Sequence, residues 1–165
     1  MEAKRLRELV LFAMLGTVMF AAKMVMAGLP NIEPVSLLII VYTVVFGKKA
    51  LWPIYLYVAL ECLVWGVNLW TVSYLYVWLV LFGTAALLRQ VDAPVIWAVV
   101  SGAFGLLFGL LCAPVSLLWG GWAYAVSWWL SGIPYDLLHC GGNFAMALLL
   151  YRPCVGVLRK LHEQF

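Results

Sequence analysis

Charge is scarce in this chain of 165 residues: it holds seven Asp and Glu, ten Lys and Arg and two His, and charged residues are 10% of the total. A soluble domain carries about a quarter charged residues, so this composition does not furnish a water-facing surface around a core. Also missing is the in/out alternation over roughly ten residues that marks the strands of an outer-membrane barrel. The net charge of +3 arises from basic residues at the ends of apolar segments, a placement that points to no nucleic-acid partner. Cys62, Cys112, Cys140 and Cys154 lie in or beside apolar segments and form no CxxC pair. They read as buried free thiols and argue against a disulfide framework or a cysteine metal site. No HExxH, P-loop, GxSxG or paired-Asp motif is present, so nothing marks an enzyme and no intrinsic cofactor or metal is expected. Asp136, His139 and Cys140 do not make a nucleophile triad, because consecutive helical residues project about 100° apart. The basic start is not followed by a small-residue cleavage site, so no cleaved leader is expected.

What the chain does have is apolar length. Hydrophobic residues make up 67% of it and its mean hydropathy is +1.06. The expectation is an all-α integral membrane protein, a single domain forming a compact six-helix transmembrane bundle. The spans fall at about 9–28, 35–46, 50–69, 72–88, 94–111 and 134–150. Pro30 and Pro34 forbid a continuous helix between the first two spans. Lys4, Arg5, Arg7, Lys48, Lys49, Arg89, Arg152, Arg159 and Lys160 all fall on one side of such a bundle, whereas 28–34, 69–72 and 112–133 hold no Lys or Arg. By the positive-inside rule both termini are then cytoplasmic. A seventh span at 119–130 would put the basic C-terminus outside, so 112–133 is read as a tryptophan-rich outer loop with a short helix at the membrane surface.

Few polar groups lie within the spans, and a charge at membrane depth costs at least about 2.5–3.5 kcal/mol unless it finds a partner, water or a ligand. Asp136, His139 and Asn143 stand at i, i+3 and i+7, one face of a helix. Glu61 is about 17 Å along its segment at 1.5 Å per residue. Lys23 lies in the outer third of the first span, where it snorkels to the interface, pairs with Asp136, or meets Glu61 or a ligand. Glu33 is in the first outer loop. Asp136, two residues after Pro134, also suits the first turn of a helix, where a carboxylate meets the positive dipole end. Together these residues outline a funnel with Asp136 at its rim and Asn143 deepest.

The aromatics are skewed toward the same end. Trp65, Trp70, Trp119, Trp122, Trp128 and Trp129 map to the outer half, with Tyr74, Tyr76, Tyr124 and Tyr135, whereas Trp52 and Trp97 map near the inner face. An interfacial belt accounts for part of this; the excess suggests stacking surfaces for a flat ligand. Candidate binding residues are thus Glu33, Glu61, Trp65, Asn68, Tyr74, Trp128, Tyr135, Asp136, His139 and Asn143, with Lys23 as charge partner. Two small-residue stripes, Ala13/Thr17/Ala21 and Ser101/Gly105/Gly109, signal close helix contacts, and internal packing is the default for either.

In this order, the basic start before Ala13, Thr17 and Ala21, the run Leu29-Pro-Asn-Ile-Glu-Pro-Val-Ser-Leu-Leu38, then Val45-Phe-Gly-Lys-Lys-Ala50, and Gly132-Ile-Pro-Tyr-Asp-Leu-Leu-His139 with Gly142-Asn143 are similar to the substrate-binding S components of energy-coupling factor (ECF) transporters. The resemblance spans almost the whole chain. It implies a bacterial cytoplasmic-membrane protein that captures a vitamin, cofactor precursor or similar micronutrient from outside. It also implies partners: a membrane T subunit, met by the first-helix stripe, and two cytoplasmic ATPase subunits that hydrolyse the ATP. Thr17 stands where the family more usually has alanine, and Glu61 departs from the family's usual ligand sites. The alternative is a self-contained secondary transporter or channel using Glu61, Asp136 and His139 as a polar pathway, although no internal repeat is visible.

Overall fold

The computed structural model describes residues 2–29 and 31–163. Pro30, one of the two predicted helix breakers, lies outside the described residues. Among them there is no strand. The helices are α1 (Glu2–Val25), α2 (Val35–Phe46), α3 (Leu51–Trp65), α4 (Leu69–Leu87), α5 (Pro94–Leu106) and α6 (Phe108–His162). Four stretches are long and apolar enough to cross a membrane: Lys4–Val25, Val35–Trp65, Leu69–Leu87 and Pro94–His162. The expected all-α bundle is therefore present.

Two glycines turn the chain within the two longest stretches. Gly47 has φ 59° and ψ −133°, a conformation that side chains with a Cβ rarely adopt. It opens the 3-10 turn Gly47–Ala50 between α2 and α3. The contacts on either side run in opposite senses. In α2, Tyr42 donates to the Leu15 carbonyl at 3.1 Å and Phe46 packs edge-on against Phe12, so α2 descends as α1 climbs. In α3, Leu56 lies against Gly16 and Glu61 against Lys23, so α3 climbs beside α1.

Gly121 (φ 77°, ψ −176°) is the non-helical residue inside α6. Below it, α5 and the second arm of α6 pair antiparallel: Trp97 stacks on Tyr151, Gly102 meets Phe144 and Gly105 meets His139. The Gly109 N–H donates to Asp136 at 3.0 Å. From that contact the two arms run about 18 Å and about 22 Å to Gly121 at 1.5 Å per residue, so the chain reverses there. The expected loop at 112–133 is corrected accordingly: it is helix on both sides of Gly121. Pro134 was read as a helix start, yet the helix runs through it. Proline removes a donor but has a helical φ, and neighbouring helices can support the gap.

The core is apolar and aromatic. Ile39, Ile40, Ile54, Tyr57, Val77, Trp78 and Trp97 are almost fully buried, and α2 is covered along nearly its whole length. Around it lies an apolar exterior in which Val25, Leu63, Leu87 and Leu118 are each at least 80% exposed. At one end of the bundle, Lys49 pairs with Glu8, Arg89 lies beside Gly47 and His162 packs on Phe46. The fold therefore gathers Lys49, Arg89 and His162 into a single end, away from Lys23.

Candidate functional site

One face of α6 sets the axis of the site. Asp136, His139, Asn143, Ala147, Tyr151, Val155 and Leu158 are all buried, a helical stripe that changes from polar to apolar along its length. The i, i+3, i+7 alignment of its first three residues is thus realised. Asp136 does not serve a first turn, however. It lies well inside the second arm, and its Oδ1 accepts the backbone N–H of Gly109 across the helix pair. The adjoining Gly105 brings the two backbones together: a Cβ there would stand 2.8 Å from the His139 carbonyl. The stripe Ser101/Gly105/Gly109 is thus an internal seam, as its spacing suggests.

At the polar end of that stripe is a cavity of about 590 Å³, the size of a small-molecule site. Glu33, Glu61, Trp65, Tyr74, Trp128, Tyr135, Asp136, His139 and Lys23 all line it. Of the predicted binding residues, two do not. Asn68 caps α4: its Oδ1 accepts from the N–H groups of Trp70 and Thr71, and its own N–H donates to the Thr71 hydroxyl, a reciprocal capping box. Asn143 lies deeper than the cavity, where its Nδ2 donates to Ser36 Oγ at 3.0 Å and to the Ser101 carbonyl at 3.2 Å. Its role is to join α2, α5 and α6. The funnel therefore ends at His139. Asn68→Ala should lower stability by about 1 kcal/mol while leaving ligand affinity within twofold, measured by thermal unfolding and by titration of the same preparation.

Lys23 takes one of the partners open to it, Glu61. It neither snorkels free nor pairs with Asp136. Its ammonium is 2.7 Å from Glu61 Oε2, 3.9 Å from Glu33 Oε2 and 3.4 Å from the Tyr74 hydroxyl. It also stands 5.2 Å from the centre of the Tyr74 ring and 5.8 Å from that of Tyr57, within cation–π range. The parallel run of α1 and α3 selects Glu61, since residues 23 and 61 reach the same level. Burial pushes the Glu33 carboxyl above its ordinary range, Lys23 opposes this and Glu61 adds to it.

Several polar atoms at this end have no protein partner. Glu61 is 1% exposed and its Oε1 is unpaired; His139 is also 1% exposed, and neither ring nitrogen is paired. The His139 ring rests against Phe108 at 4.9 Å between centres. Buried polar groups ordinarily have partners, so these atoms form the chemically unsatisfied wall of the cavity. No group of three or more His, Cys, Asp or Glu among the described residues could hold a metal ion.

Sequence reasoning missed the 24–32 wall: Met24, Met26, Ala27, Leu29, Asn31 and Ile32 also border the cavity. Leu29, Asn31 and Ile32 belong to the Leu29–Leu38 run, yet no charge or polar spacing singles these residues out, and only the end of α1 and the turn after it bring them in. Trp70, Phe108 and Cys112 are further lining residues. Trp119 and Trp122, by contrast, flank Gly121 and are 79% and 74% exposed. The stripe Ala13/Thr17/Ala21 also departs from the default of internal packing: all three residues are exposed, and the Thr17 hydroxyl is returned to the Ala13 carbonyl at 2.9 Å. Gly16, one residue from the stripe, makes the close contact with α3 instead.

Comparison of the chain with protein-family models, curated proteins and solved structures finds no match.

Proposed function

We propose that this chain is the substrate-capture subunit of an ECF-type importer, binding a vitamin, cofactor precursor or similar micronutrient from outside a bacterial cytoplasmic membrane. The observation that carries the reading is the cavity of about 590 Å³ at the end of the bundle opposite the clustered Lys49, Arg89 and His162. With that basic end cytoplasmic, the cavity opens outward. On this reading α1 to α4 each cross once, and the reversal at Gly121 makes two crossings of the remainder. That gives six spans with both termini inside, in the order that the charge pattern predicts. The protein catalyses nothing; ATP is hydrolysed by two ATPase subunits acting through a membrane T subunit. The exposed Ala13/Thr17/Ala21 stripe offers a shallow surface on which a partner helix can approach closely.

The alternative, a self-contained transporter with a Glu61/Asp136/His139 pathway, has less support. Beyond His139 the stripe continues through Asn143, which is bonded to two helices, into the apolar Ala147 and the stacked Trp97–Tyr151 pair.

Protein purified gently from its native membrane should release a small molecule on denaturation, identified by mass spectrometry. In liposomes, its uptake should require ATP and the partner subunits. Uptake driven by a proton gradient in the isolated chain would overturn the reading. Ala13→Trp combined with Ala21→Trp should leave the unfolding temperature and ligand affinity unchanged and lower recovery of the ATPase complex at least about tenfold, because bulk on an exposed stripe disturbs only what docks there.

A further inference from the structure

The charge balance inside the cavity narrows what it can hold. Three carboxyl groups, Glu33, Glu61 and Asp136, face one ammonium, that of Lys23. That ammonium is already engaged by Glu61 Oε2 and stands near Glu33 Oε2. Asp136 accepts the backbone N–H of Gly109 through one of its two oxygens. Carboxyl groups thus outnumber the ammonium three to one around the cavity. Glu61 Oε1 is buried, unpaired and at the cavity wall, so this acidic set includes an acceptor in need of a donor. The surroundings suit a cation as well: Lys23 itself sits against two tyrosine rings, and Trp65, Trp70, Trp128 and Tyr135 border the same space. Aromatic faces attract cations and stack on flat groups.

We propose that the cavity takes a planar aromatic or heteroaromatic ligand bearing a positive charge, with its cationic N–H groups toward Glu61 and its ring among the tryptophans. This rests on the reading of the cavity as a ligand site. His139, with one donor and one acceptor in its neutral form, serves the uncharged polar atoms of such a ligand. An anionic ligand would have to displace Glu61 from Lys23 and would then face the remaining carboxylates.

The test uses three probes of nearly one shape: benzamidine, benzamide and benzoate, which are positive, neutral and negative at pH 7. Each is titrated into the detergent-purified full chain, after removal of any co-purified molecule, and followed by tryptophan fluorescence and calorimetry. Benzamidine should bind at least about tenfold more tightly than benzamide, the scale of one charge-assisted hydrogen bond, and benzoate most weakly. Glu61→Gln should abolish the preference for benzamidine over benzamide. Should that variant fold poorly, Glu33→Gln in the loop should reduce the same preference in part. An equal or reversed order, or a preference unchanged in the variants, overturns the charge assignment while leaving a binding site standing. Failure of all three probes to bind overturns the charge assignment and the capture role together.

Discussion

Gly105→Leu is expected to destabilise the protein by about 3 kcal/mol, the upper end of the usual cost of overpacking, and to abolish ligand binding with it. A Cβ at residue 105 would stand 2.8 Å from both the carbonyl carbon and oxygen of His139 and 2.9 Å from the Cys140 nitrogen. These are backbone atoms, which cannot swing aside as the end of a side chain can. Relief requires α5 to move off the second arm of α6. That movement would lengthen the Gly109–Asp136 hydrogen bond one turn further along and displace the His139 ring from Phe108. Gly141→Ala is the control. Nothing lies within 4 Å of a Cβ there, so the substitution should be neutral or stabilising by up to about 1 kcal/mol through helix propensity. Reversible unfolding in mixed micelles gives the stability difference, and the same samples give affinity. A Gly105→Leu protein as stable as the parent would mean that the seam is not a close contact.

Lys23→Met is expected to lower stability by about 3 kcal/mol, the low end of the cost of removing one member of a buried ion pair. The partner left behind is Glu61, whose side chain is 1% exposed, whereas that of Lys23 is 20% exposed. The asymmetry places most of the loss in stranding the carboxylate, with partial relief from water in the cavity. Adding Glu61→Gln should therefore recover most of the loss, since a neutral amide no longer needs the ammonium. The resulting double-mutant cycle should show a coupling of about 2 kcal/mol. Additive effects would show that residues 23 and 61 do not depend on each other. Glu33 stands 3.9 Å from the same ammonium, so Glu33→Gln alone should have a smaller effect on stability.

Much of the candidate site was legible because buried polarity is conspicuous in an apolar chain. Asp136 and His139 were picked out by helical spacing alone, and Glu61 by its depth within its segment. Both spacing and depth are local properties of a helix and survive folding unchanged. Partners were less legible. Lys23 could be assigned to Asp136, to Glu61, to a ligand or to the interface until the level of α3 against α1 put Glu61 beside it. Asn143 shares a face with His139, yet the approach of α2 and α5 converts it from a ligand candidate into a link between helices. Asn68 has a type and position that suit either a cap or a ligand contact, and the local turn before α4 decides for the cap. The tryptophan-rich stretch misled most. It reads as a loop because a seventh span at 119–130 would put the basic C-terminus outside, whereas one left-handed residue at Gly121 is enough to reverse two helices.

By itself, the sequence determined that the chain is helical and apolar, that its basic residues other than Lys23 share one side, and that a polar face on the last helix meets few other charges. These follow from composition and from a period of 3.6 residues, which depend on no distant contact. Only the tertiary structure decided which charges meet, which small-residue stripe is a seam and which faces outward, and how far the polar face remains open before Asn143 closes it. Those outcomes depend on the relative height and rotation of packed helices, where a shift of one residue, about 1.5 Å along the axis and about 100° around it, exchanges one neighbour for another.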